Sequence, residues 1–430
     1  MNKILTAAAT VIAALAIQDG ASAQGFYKDI FMDSGIHVTS RKDLPAARAL
    51  GLSIEAYYSA PHSPMQITAK DTLEQTERLI GSEIDENGIL LYPDGAPRFK
   101  MIYVNGGRAG RHGRSLTETG RQHYRDFVAN GGSYWGTCAG AYIVSNGYYG
   151  GDPLLNPNYL HIYPALMDDT DLSATPTGMK VEKNSPLLKY YDFGGDMYID
   201  SVYHNGGCFT EDKKLVKGAE ILLRYDYSTP ERIEKGLPLL TDKISAWAWK
   251  PSPEHGRVVA IGSHPEGVTS GERLDLACAL VRYALDGVGC PKVKASLKNG
   301  ETRFMNKNTG DHDPLFTCIG DKQYHHFTVK IPKKARNIKV VLRSKSEDID
   351  LNLTMKKGDF AFREAADYKD VTLGSNKVMK FDSLKPGLWY IGVECATTVE
   401  TVETDCGVRY VGHTEVLNGV PYSIQITWDK

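Results

Sequence analysis

Between residue 25 and about residue 289, short apolar runs alternate with stretches in which apolar side chains recur every three or four positions. Runs at 26–32, 53–58, 99–104, 133–135, 196–203, 219–225 and 257–262 predict strands, and periodic stretches at 42–50, 72–84, 117–129 and 274–285 predict helices. This alternation predicts an α/β domain, a mostly parallel sheet with helices on both faces. From about residue 292 the helical period disappears. Alternating runs at 324–331, 337–344, 349–355, 378–381, 389–394 and 422–428, separated by turn signals such as Lys356-Lys357-Gly358 and Lys385-Pro386-Gly387, predict a small all-β sandwich. The change of texture sets a boundary at Cys290-Pro291, which gives domains at 24–290 and 291–430 with separate cores.

The first 23 residues follow neither pattern. A lysine at position 3 precedes an apolar stretch from Ile4 to Ile17, and Ala21-Ser22-Ala23 carries the small residues that a signal peptidase requires. We expect a signal peptide at 1–23, cleaved before Gln24, and therefore a secreted or periplasmic protein. No later run is apolar enough to span a bilayer. Fifty basic residues against fifty-two acidic ones leave a formal charge of −2, so no global field draws in nucleic acid or anionic lipid. Seven cysteines are an odd number, so at least one thiol stays unpaired within the chain. Cys138 is the candidate. Cys290, Cys318, Cys395 and Cys406 could form two bridges, Cys278 lies in an apolar helical pattern, and Cys208 follows Gly207.

Gly136-Thr137-Cys138-Ala139-Gly140 stands between a strand and a short apolar segment. A residue on such a sharp strand-to-helix turn is held in a strained conformation with its side chain presented outward, and flanking glycines permit the close approach. Amide groups of the turn favour the thiolate, the reactive form. At the end of a late strand, Ser263-His264-Pro265-Glu266 supplies a histidine that can take the thiol proton and a carboxylate two residues on that can orient the ring. Val104-Asn105-Gly106-Gly107 ends an earlier strand. Its diglycine turn can aim a backbone N–H, so the oxyanion donors are assigned to Gly107 and Ala139. Arg108, Arg111, His112 and Arg114 form a basic cluster that either holds a substrate carboxylate or stands as a solvated loop.

The order of nucleophile, histidine and carboxylate, the last two one residue apart, resembles the class I glutamine amidotransferase triad. Asn105-Gly106-Gly107-Arg108, Gly136 to Tyr142, Tyr203-His204-Asn205-Gly206-Gly207 and His264-Pro265-Glu266 together resemble the amidotransferase-like family named after the N-terminal domain of biotin-protein ligase. The resemblance implies catalysis by Cys138, His264 and Glu266, and a substrate pocket formed by Gly106, Arg108, His204, Asn205 and Gly206, without cofactor or metal. Tyr324 to Phe327, Glu347 to Leu351 and Pro386 to Val393 resemble the bacterial pre-peptidase C-terminal domain, a companion of secreted hydrolases that could contact glycan or protein. Asp348 and Asp350 there either ligate calcium or cap a turn. The expected function is a cysteine-dependent amidase or peptidase acting on a small-molecule or peptide amide. The alternative is a binding protein that holds a small ligand at a former amidotransferase site.

Overall fold

The computed structural model describes residues 25–35, 43–58, 69–150, 152–311, 313–404 and 407–429. The expected signal peptide at 1–23 and Cys406 lie outside them. The first part of the chain contributes β1 (Lys28–Asp33), α1 (Pro45–Ala49), β2 (Ile54–Tyr57), α2 (Ala69–Ile80), β3 (Phe99–Val104), α3 (Ala109–Ser115), α4 (Thr117–Ala129), β4 (Ser133–Thr137) and α5 (Ala139–Ile143). There follow β5 (Gly147–Gly150), β6 (Asp152–Leu155), β7 (Leu166–Asp169), β8 (Thr175–Val181), β9 (Tyr198–His204), β10 (Cys208–Phe209), β11 (Glu220–Asp226), α6 (Pro230–Glu234), β12 (Ile244–Trp249), β13 (Val258–Ile261) and α7 (Glu272–Leu285).

Nine of these strands form one sheet in the order β2-β1-β3-β4-β13-β12-β11-β8-β9. The five strands from β2 to β13 are parallel, and the four beyond β13 are antiparallel. Alternate side chains enter different layers, as the two-residue period of a strand requires. Phe31, Ile102, Val104, Tyr134 and Ala260 face Leu79 of α2 and Tyr124 and Phe127 of α4. Ile30, Met32, Met101, Tyr103, Trp135 and Ile261 face Ala46 and Ala47 of α1 and Leu276 and Leu280 of α7. Parallel strands buried on both faces read as continuous apolar runs, which is why β3 is legible at its observed bounds. A second, four-stranded sheet, β10-β7-β5-β6, lies over the end of the first.

The β-rich remainder holds β14 (Val293–Ser296), β15 (Thr302–Met305), β16 (Tyr324–Ile331), β17 (Arg336–Arg343), β18 (Leu351–Lys357), β19 (Tyr368–Asp370), β20 (Lys377–Phe381), β21 (Gly387–Cys395), β22 (Glu400–Thr404), β23 (Gly407–Val411), α8 (Glu415–Asn418) and β24 (Tyr422–Asp429). Sheets β14-β16-β21-β18-β19 and β15-β24-β17-β20 share a core of Phe327, Val340, Leu353, Ile391 and Ile426. That core is not separate: one contiguous cluster of buried apolar side chains runs from the α2 and α4 layer into it. Buried charges also cross the junction. Arg98 bonds Asp321 at 3.1 Å and Asp85 at 3.5 Å, and its guanidinium lies over the rings of Tyr27 and Tyr410. Tyr410 on β23 donates to Glu55 on β2 at 2.8 Å, where Arg78 also bonds at 2.6 Å.

Two expectations change here. Cys290, Cys318 and Cys395 are free thiols, Cys290 exposed and the other two buried, so no bridge joins them. Asp350 Oδ1 accepts the N–H of Gly374, 24 residues away, so it ties the start of β18 to the loop before β20 where a local turn cap was expected.

Candidate active site

Cys138 follows β4 and precedes α5 with φ 49° and ψ −105°, a conformation that costs a side-chain-bearing residue about 1–3 kcal/mol. The strain is held by packing on both sides. Cys138 N–H donates to Ile261 O on β13 at 2.9 Å, and Gly140 lies so close to Val104 that an added Cβ would stand 2.1 Å from its carbonyl oxygen. The thiol is 4% exposed, and Sγ donates to the Asn205 carbonyl at 3.8 Å.

His264 arrives from the end of β13, the strand beside β4, and its backbone N–H donates to Tyr203 O at 2.8 Å. Its ring Nδ1 donates to Oε1 of buried Glu266 at 2.8 Å. Burial disfavours the imidazolium, but the interactions of the ring with Cys138 and Glu266 outweigh it and push the ring up to about 10. Gly106 sits against the Cε1 edge of this ring, where an added Cβ would stand 2.2 Å from Cε1 of His264. Its part is to make room for the histidine, and it does not line the cavity assigned to it from the sequence.

That cavity, of about 620 Å³, is bounded by Cys138, Ala139, Gly107, Arg108, Asn205 and Gly206. Gly107 has φ 140° and Gly206 φ 80°, both in the region that favours glycine. The cavity therefore brings these residues named from the sequence together with Arg111 and Arg114 of the basic cluster. His204 does not join them. It is wholly buried, its Nδ1 donates to Val202 O at 3.0 Å, and its ring packs on Tyr225. Burial, with His264 nearby, lowers it to about 4, so it is a neutral core histidine. His112 also leaves the basic cluster: it is buried and bonds Asp33 at 2.7 Å.

The sequence did not indicate the remaining walls. Tyr148, Asn156, Asn158, Tyr159 and Asp169 come from β5, β7 and the loop between β6 and β7. Their segment is rich in tyrosine, aspartate and proline and carries no clear period, so only the pairing of β5 with β6 and β7 brings them to the cavity.

Residues 84–149 match the family model for the biotin-protein ligase N-terminal domain, a span that takes in Gly107 and Cys138 and ends before His264. A segment of 57 residues is 49% identical to the pyridoxal 5'-phosphate synthase subunit PdxT of Deinococcus radiodurans. It covers 13% of this chain and 29% of that protein, so the chain spans under a third of the length of this relative. Among solved structures, a glutamine amidotransferase aligns with a TM-score of 0.34 and 16% identity over 59% of this chain and 98% of its own. The pre-peptidase C-terminal domain of a Bacillus anthracis collagenase aligns with a TM-score of 0.20 and 14% identity over 32% of this chain and 100% of its own. The first part of the chain is thus an α/β domain on a mixed sheet, similar over residues 84–149 to the N-terminal domain of biotin-protein ligase.

Proposed function

We propose that the protein is a secreted cysteine amidohydrolase, an amidase or peptidase that cleaves an amide C–N bond through a thioester on Cys138. The observation that carries this reading is the line from Glu266 through the His264 ring to a thiol on a positive-φ turn. Cys138 gives its thiol proton to His264, and Sγ attacks the amide carbon and forms the C–S bond. The N–H groups of Gly107 and Ala139, both on the cavity wall, receive the oxyanion. The imidazolium of His264 gives its proton to the nitrogen as the C–N bond breaks and the amine leaves. A water then loses a proton to His264 and attacks the thioester. The C–S bond breaks, the acid departs, and the proton is shared again between Cys138 and His264. Glu266 keeps the ring oriented and its cation stabilised throughout.

The test is to incubate the purified protein with thiol-directed amide probes and a pool of peptide amides and to search for an acyl group on the protein. An acyl adduct mapped to Cys138, absent from Cys138→Ala, supports the proposal. Amide turnover that persists at the wild-type rate in Cys138→Ala overturns it.

A further inference from the structure

The charges around the cavity are unevenly used. Asp168 on β7 is ion-paired with Lys214 at 2.7 Å. By contrast, Arg108, Arg111 and Arg114 have no ion-pair partner among the described residues, and neither has Asp169. Arg111 and Arg114 lie three residues apart on α3, so they share one face of it, and Arg108 immediately precedes that helix. Asp169 comes from another wall, the end of β7. A second cavity of about 590 Å³ adjoins the first, and the two share Tyr148 and Asp169 as lining residues. The arginines line the Cys138 cavity alone, whereas Asp169 stands where the two cavities meet, and Asp171 lines the second.

We infer that the substrate of the Cys138 site is a short peptide with a free ammonium and a free carboxylate, its anionic end on Arg108, Arg111 and Arg114 and its ammonium on Asp169. This rests on the amidohydrolase reading and adds its substrate class. The Cys138 cavity, at about 620 Å³, falls within the roughly 300–1,000 Å³ that accommodates a drug-sized molecule, so a single amino acid would leave most of it to water. Guanidinium groups form forked bonds with a carboxylate, and Asp169, which accepts the Asp171 N–H at Oδ1 but has no ion-pair partner among the described residues, supplies the complementary contact for an ammonium at the junction. Asp169 is thereby a specificity-determining residue.

The experiment measures how well ligands protect Cys138 of the full chain from iodoacetamide, read by mass spectrometry. The probes are the pentapeptide Ala-Ala-Gln-Ala-Ala with free termini, its N-acetylated form, its C-amidated form, the doubly blocked form, and free glutamine. The free pentapeptide is expected to protect best, and each blocked terminus to weaken protection about tenfold, the size of one lost charge-assisted contact. Asp169→Asn should erase the difference between free and acetylated N termini alone. Arg111→Ala with Arg114→Ala should erase the difference between carboxylate and amide alone. Equal protection by all four pentapeptides, no protection by any, or equal protection by free glutamine overturns the inference while leaving the hydrolase reading standing. Failure of Cys138 to react with iodoacetamide in the absence of peptide points instead to failure of the hydrolase reading.

Discussion

Replacing Arg98 by Met tests whether the two parts of the chain form one cooperative unit. The side chain of Arg98 is 2% exposed, and its partners Asp321 and Asp85 are 0% and 5% exposed. Methionine keeps most of the aliphatic volume, so the main effect is electrostatic: two buried carboxyls lose their cation. Breaking a buried pair from one side costs about 3–5 kcal/mol. The loss of two ring contacts, about 0.5–1 kcal/mol each, moves the expectation towards the upper end. A domain stable by about 5–15 kcal/mol would thereby lose a large fraction of its stability. The effect depends on pH. Burial already pushes Asp85 up to about 7 against the opposing pull of Arg98. Its favourable contribution, as a group with a raised pKa, is full below its ordinary value of 3.8 and is lost as pH rises through about 7. Without Arg98 the carboxyl rises further, so the variant should be hurt more at pH 8 than at pH 5. Urea unfolding at both pH values, followed by near-ultraviolet dichroism, measures the difference. A loss below about 1 kcal/mol at pH 8, the value of an exposed pair, would refute the buried-network argument.

Gly106→Ala should leave the fold intact, cost about 1–3 kcal/mol and displace the His264 ring, lowering amide turnover with little change in substrate affinity; equal kcat in both proteins would contradict the close packing. Because His264 is raised to about 10, its cation persists through neutral pH, and turnover should fall as pH rises through about 10 and not near 6.5. A pH–rate profile with its basic limb near 6.5 would contradict that. Glu266→Gln keeps the shape and removes the charge, so turnover should drop by about tenfold to a thousandfold and the basic limb should shift to lower pH. An unshifted limb would show that the carboxylate does not support the imidazolium.

Much of this was legible in the residues themselves. β3, buried on both faces, announces itself as an apolar run and β16 as an alternating one, so both match their sequence-predicted bounds, and the clean period of α4 does the same for that helix. The elbow was legible because glycines flank a cysteine at a strand end, and the histidine because it follows another strand end. What escaped was long-range. β8 contains Pro176 and Gly178, which hide its strand character, and with β12, which also went unread, it builds the antiparallel half of the sheet. β5, β6 and β7 are short, and their role as cavity wall depends on pairing across the chain. His204 and His112 were misjudged for one reason: sequence gives residue type at a turn but not the direction in which the ring points, and both rings turn into the core. The odd cysteine count required at least one free thiol, and six described cysteines are free.

The central claim is that His264 and Glu266 activate Cys138, and alkylation rates compared within one molecule test it most directly. Cys138 is 4% exposed and Cys290 is exposed, so accessibility alone predicts that Cys290 reacts faster with iodoacetamide. Peptide mapping after brief labelling at pH 7 gives both rates in the wild type and in His264→Ala. The account predicts that Cys138 outpaces Cys290 in the wild type and falls behind it in His264→Ala, while the Cys290 rate stays the same. If Cys290 is faster in both proteins, or if the Cys138 rate does not change when the histidine is removed, the thiol is an ordinary buried cysteine and the proposed chemistry is wrong.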